Sequence, residues 1–152
     1  MLNTECGIFS IIKKNQLKYN ILPKIIEGLN KLQHRGQESC GIAYKKEDEF
    51  IIHKDLGLVK NVFINFNDIY QPNICIGHVR YSTSGKKYTS EQIKIQETHP
   101  IKGKNKLNEF VLAHNGTLPN FTELKKQYKS NASSDTLFLV ELIEQINKTN
   151  WN

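Results

Sequence analysis

Arginine is nearly absent from this chain. Of its 21 basic residues only Arg35 and Arg80 are arginines; the other 19 are lysines. Lysine serves wherever any positive charge will do, whereas arginine offers a planar bidentate fork, so the two arginines stand out as candidate site residues. Apolar runs are short. None approaches the roughly 18 residues needed to span a membrane, and the N-terminus carries no charged segment followed by an apolar one of signal-peptide type. The expectation is a soluble cytoplasmic protein with no membrane partner. Cysteine is sparse and odd in number: Cys6, Cys40 and Cys75 are widely spaced. They form neither a disulfide framework nor a CxxC pattern, which points to reduced thiols. The five histidines show no HxxxH or similar spacing, so no metal site is expected. The net charge is +6, yet no aromatic residues alternate with the lysines to form a stacking platform. A solvated lysine-rich surface is favoured over a nucleic-acid partner.

With 152 residues and 38% hydrophobic content, the chain suits one domain with a core. Gly7 to Ile12 is predicted to be a short, mostly buried strand. Pro23 opens a helix whose apolar residues Leu22, Ile25, Ile26, Leu29 and Leu32 follow a 3.6 period, with Gly36 as its stop. Gly41 to Tyr44 and Phe50 to His53 read as strands around the turn Lys45 to Glu49, and Asn73 to Val79 as another. Arg80 to Thr98 lacks periodicity and is predicted to be a long lid-like loop. Phe110 to Ala113 reads as a strand. Asn120 with Glu123 suggests a capping box, and Ser134 an N-cap for a last helix. The order implies an α+β fold of antiparallel sheets covered by helices.

Cys6 has an unusual option. If Met1 to Glu5 were removed, its thiol would share a residue with a free α-amine titrating near pH ~8, so nucleophile and base would coincide. The alternative is a small buried hydrophobe. Arg35 lies either in a basic helix end or near a site as a positioning group. Arg80, helped by Thr83, can fork onto a carboxylate, or form a surface ion pair. Asn115-Gly116 is either a type I′ turn or an oxyanion hole built from the Asn115 amide and the Gly116 N–H. Asp135 is either ordinary first-turn dipole chemistry or an acceptor for an α-ammonium.

Taken together, Glu5-Cys6-Gly7-Ile8-Phe9, Leu32 to Glu38, Gly41-Ile42, Gly57-Leu58-Val59, Gly77 to Gly85, Leu112 to Gly116 and Ser133 to Thr136 resemble the glutaminase domain of class II glutamine amidotransferases. His34 to Glu38 and Arg80-Tyr81 are most similar to the branch that opens purine nucleotide synthesis, the amidophosphoribosyltransferases. The resemblance implies an N-terminal-nucleophile hydrolase sandwich of α-β-β-α layers, incomplete at its C-terminus. It implies a propeptide at residues 1–5, a partial glutaminase domain over residues 6–152, and an absent phosphoribosyltransferase domain. Cys6 would attack the glutamine side-chain amide. Asn115 and Gly116 would hold the oxyanion, Arg80 and Thr83 the α-carboxylate, and Asp135 the α-ammonium, with Arg35 nearby. No cofactor is expected in this chain; full-length relatives use magnesium, and some carry an iron–sulfur cluster. The implied partners are glutamine and an ammonia-accepting phosphoribosyltransferase domain or subunit, with a homo-oligomer in the full-length form. A catalytically silent fragment or interaction module is the alternative. Cys40 and His99 stand where the resemblance implies Ala and Gln.

Overall fold

A computed structural model describes residues 6–14, 18–81 and 90–146. Strand β1 (Gly7–Ile12) is followed by helix α1 (Leu22–Lys31), strands β2 (Ser39–Lys46) and β3 (Glu49–Leu56), helix α2 (Val59–Val62) and strand β4 (Ile74–Arg80). Helix α3 (Glu91–Glu97), strands β5 (Ile101–Lys104) and β6 (Glu109–Leu112), and helices α4 (Phe121–Gln127) and α5 (Asp135–Gln145) complete the described chain. One antiparallel sheet runs β1-β4-β2-β3; β5 and β6 pair as a second.

Helix α1 begins with Pro23 in its first turn, where the missing N–H costs nothing, and the Asn20 side chain accepts from the Leu22 N–H at 2.9 Å. Its buried face, Leu22, Ile25 and Leu29, follows helical spacing and packs on β1 and β4. Each such side chain contributes roughly 1.5–3 kcal/mol on burial. Strand β2 is central and covered on both faces, so every residue from Ser39 to Tyr44 is buried. On the other side β3 lies against β6, and α5 packs on β5. The layers are therefore helix, sheet, sheet and helix, the expected α+β sandwich.

Several expectations are corrected. Strand β1 has the expected limits but is not mostly buried: Ile8, Phe9 and Ile12 are exposed because it is the sheet's edge. Gly36 does not stop α1, which ends at Lys31. It instead lets the following turn lie on β4, since a Cβ there would meet the Val79 and Arg80 carbonyl carbons at 2.7 Å. The stretch after Arg80 is not all loop. Ser90 accepts from the Ile93 N–H and starts α3, whose seven residues are too few for a period to show. Strand β5 and helix α2 were not predicted. Asn120 does sit at the N-cap of α4, but its side chain makes no capping bond.

Candidate active site

The sheet register sets the site. Gly7 pairs with Val79, so Cys6 lies level with Arg80, while Ser39 pairs with Arg80 from the other side. Three strand ends thus meet at one edge of the sandwich. Cys6 is partly exposed there, and Tyr81 brackets its Sγ: the Tyr81 N–H donates at 3.5 Å, and the thiol donates to the Tyr81 carbonyl at 3.7 Å. The Arg35 Nε donates to the Cys6 carbonyl at 3.1 Å. Arg35 is thus tied to the backbone of Cys6, whose thiol is partly exposed. Gln33 secures the same turn, donating to the Gly36 carbonyl at 2.5 Å and accepting from the Val59 N–H at 2.7 Å.

Arg80 is largely buried and already paired. Its Nη2 lies 3.1 Å from the Glu97 carboxylate, and its Nε lies 4.0 Å from that of Glu38. The fork is thus aimed at carboxylates. Thr83 lies outside the described residues, as do residues 1–5 and 82–89, on which the expected propeptide and part of the expected lid-like loop fall.

Asn115 and Gly116 are exposed on the connection from β6 to α4. Because a helix follows, the turn does not join two strands and is no β-hairpin. The preceding His114 is tied down on three sides. Its carbonyl lies 3.2 Å from His78 Nε2, its N–H donates to His99 Nδ1 at 3.4 Å, and its ring Nδ1 lies 3.2 Å from Thr136 Oγ1. Asp135 starts α5 behind the Ser134 cap and accepts from the Leu118 and Thr136 N–H groups at 2.9 and 2.8 Å. That carboxylate binds the end of the Asn115-Gly116 segment to α5 and keeps lone pairs for a further donor. Hydrogen bonds join Cys6, Arg35 and Tyr81 in one group, and His78, His99, His114, Thr136 and Asp135 in another. Strand β4 links the two, carrying His78 within it and leading directly into Tyr81 at its end.

Burial, and secondly the Arg80 charge, lowers the Lys54 ammonium to about 8. It still donates to the Thr98 carbonyl at 2.6 Å and to the Gln96 and Pro100 carbonyls at 3.1 and 3.4 Å. Burial raises Cys40 and Cys75 to about 12. These thiols fill the core and do not suit an iron–sulfur cluster, which needs accessible thiolates. No group of three or more His, Cys, Asp or Glu among the described residues is arranged to hold a metal. Also among these residues, no helix is long and apolar enough to cross a membrane. Sequence reasoning missed Tyr81, Glu97, Gln33, Lys54 and the histidine cluster. Of these, Tyr81 and Gln33 lay within stretches that carry the family resemblance, and His99 stood out as a departure from it; Glu97 and Lys54 had no local signal.

Comparisons with known proteins agree with this geometry. The family profile described as "Glutamine amidotransferases class-II" matches residues 59–151. An amidophosphoribosyltransferase of Methanocaldococcus jannaschii is 36% identical over 145 residues, covering 91% of this chain and 29% of that protein. Another, from Lacticaseibacillus casei, is 35% identical over 153 residues, covering 95% of this chain and 73% of that protein. Among solved structures, the allosteric regulatory enzyme of purine biosynthesis superposes with a TM-score of 0.73 at 34% identity, over 93% of this chain and 30% of its own. The chain thus spans about a third or less of most of these relatives. The N-terminal-nucleophile hydrolase fold of that neighbour and the matched family agree, and the chain belongs to the class II glutamine amidotransferases.

Proposed function

We propose that this chain is the glutaminase part of an amidophosphoribosyltransferase, the first step of purine nucleotide synthesis. The observation that carries this reading is the placement of Cys6 at the sheet edge, with Arg35 on its carbonyl, Tyr81 around its sulfur and Arg80 on the neighbouring strand end. Residues 1–5 are removed, which frees the Cys6 α-amine. That amine takes the thiol proton, and Sγ adds to the side-chain carbonyl carbon of glutamine. The Asn115 amide and the Gly116 N–H stabilise the oxyanion; one such donor is worth ~3–4 kcal/mol. The proton returns to the leaving nitrogen, the C–N bond breaks, and ammonia departs. Water then cleaves the glutamyl thioester to release glutamate and restore the thiol.

Arg80 and Thr83 hold the α-carboxylate, and Asp135 the α-ammonium. The substrate carboxylate takes the place of Glu97 on the guanidinium. Ammonia passes to a phosphoribosyltransferase domain or subunit, in a homo-oligomeric cytoplasmic assembly; the free thiols suit a reducing compartment. The test is glutamine turnover by the full chain. Glutamate and ammonia are expected in equal amounts, and Cys6→Ala is expected to abolish both. Turnover that survives Cys6→Ala refutes the reading.

A further inference from the structure

His78, His99 and His114 come from three different segments and share one set of hydrogen bonds. His78 is on β4, His99 lies between α3 and β5, and His114 follows β6. His78 and His99 are buried, with ring centroids 4.4 Å apart. His99 Nδ1 lies 3.3 Å from His78 Nε2 and accepts the His114 N–H at 3.4 Å. His78 Nε2 also lies 3.2 Å from the His114 carbonyl.

These contacts allow one arrangement of protons. A backbone N–H can only donate, so His99 Nδ1 is bare and its proton sits on Nε2. His78 Nε2 faces two acceptors, the bare His99 nitrogen and a carbonyl, so it carries the proton. His78 Nδ1 is then a bare acceptor, and that atom is buried without a hydrogen-bond partner. Both rings are neutral. Burial holds both below the ordinary histidine range, and neighbouring cationic groups add to this.

Together the two rings hold the N–H and the carbonyl of His114, which lies beyond the last ladder pair, Ile101 with Leu112. The third ring, that of His114, is fixed on Thr136 and lies over Gly116, where an added Cβ would meet its Nε2 at 2.9 Å. His99 is itself pinned. Lys54 holds the carbonyls on both sides of it, and Gly41 passes so close that a Cβ there would meet the His99 carbonyl at 2.5 Å.

We propose that His99 is a positioning residue for the oxyanion hole: through its bare Nδ1 and His78 it fixes the His114 peptide and so aims the Asn115 amide and the Gly116 N–H. The inference rests on the glutaminase reading for what the hole does. Two measurements on the full chain test it. In the first, His99→Leu keeps the bulk and deletes the acceptor, whereas His99→Gln restores an acceptor oxygen. Misaiming a hole whose single donors are worth ~10²–10³ in rate is expected to lower kcat by about 10- to 100-fold in His99→Leu. KM for glutamine should stay within about two-fold. His99→Gln should recover most of kcat.

The second measurement needs no turnover and no variant. Nitrogen-15 histidine spectra of the wild-type chain should show His99 protonated on Nε2 and bare on Nδ1, with His78 protonated on Nε2. Where His99→Leu fails to fold, these spectra and His99→Gln decide. A proton on His99 Nδ1, full kcat in His99→Leu, or a loss confined to KM overturns the proposal. A wild-type chain with no turnover overturns the glutaminase reading instead, and the clamp then stands or falls on the spectra.

Discussion

Arg80, proposed to hold the substrate carboxylate, sits in a mostly buried place. A guanidinium there needs partners, and Glu97 and Glu38 supply them. The same partners compete with a substrate carboxylate. Arg80→Lys keeps the charge but loses the fork, so KM for glutamine should rise by ~10-fold or more, the scale of one charge-assisted hydrogen bond. Glu97→Gln removes a competing charge and should lower KM; steady-state kinetics on both variants read the two directions. An unchanged KM in Arg80→Lys contradicts the assigned role. Both arginines were conspicuous in the sequence because lysine fills nearly every other basic position. Glu97 was not, because nothing local distinguishes an acid that meets Arg80 only after the chain has returned through α3.

The structural elements differ in how much of them the sequence revealed. Helix α1 and the β2–β3 hairpin could be read because their patterns are long and their ends are marked by Pro23 and a polar turn. Helix α3 and strand β5 could not, since seven and four residues carry too little periodicity. The two expected caps, a capping box at Asn120 and an N-cap at Ser134, also turned out differently. Ser134 accepts from the Leu137 N–H, while the Asn120 side chain makes no capping bond. Ser134→Ala should therefore cost about 1 kcal/mol, seen as a melting temperature lower by roughly 2–4 °C, and Asn120→Ala should cost far less. Equal losses in thermal denaturation contradict the assignment. Gly36→Ala sets a methyl against the β4 backbone and should cost about 1–3 kcal/mol. It should also weaken catalysis, because the displaced turn carries Arg35 away from the Cys6 carbonyl.

Across the whole molecule, β4 joins the Cys6–Arg80 edge to the histidine cluster, and the cluster reaches α5 through Thr136. That placement was invisible in the sequence, where His78, His99 and His114 are 21 and 15 residues apart and their spacing matches no ligand pattern. It has a consequence for pH. Both buried rings titrate lower in the folded chain than the ~6.5 of an unfolded one. Below that value the unfolded chain binds more protons, so stability falls as pH drops from about 6.5. Thermal melts across that range should show the decline, with a shallower slope in His99→Gln, which has one fewer such ring. An identical slope contradicts the assignment of the buried neutral pair.

The central claim is that Cys6 is the nucleophile, and intact-mass spectrometry tests it most directly. The purified chain should have lost Met1 to Glu5, and a glutamine-analogue electrophile should then add one adduct, mapped to Cys6. An intact N-terminus and no adduct on Cys6 would contradict the account.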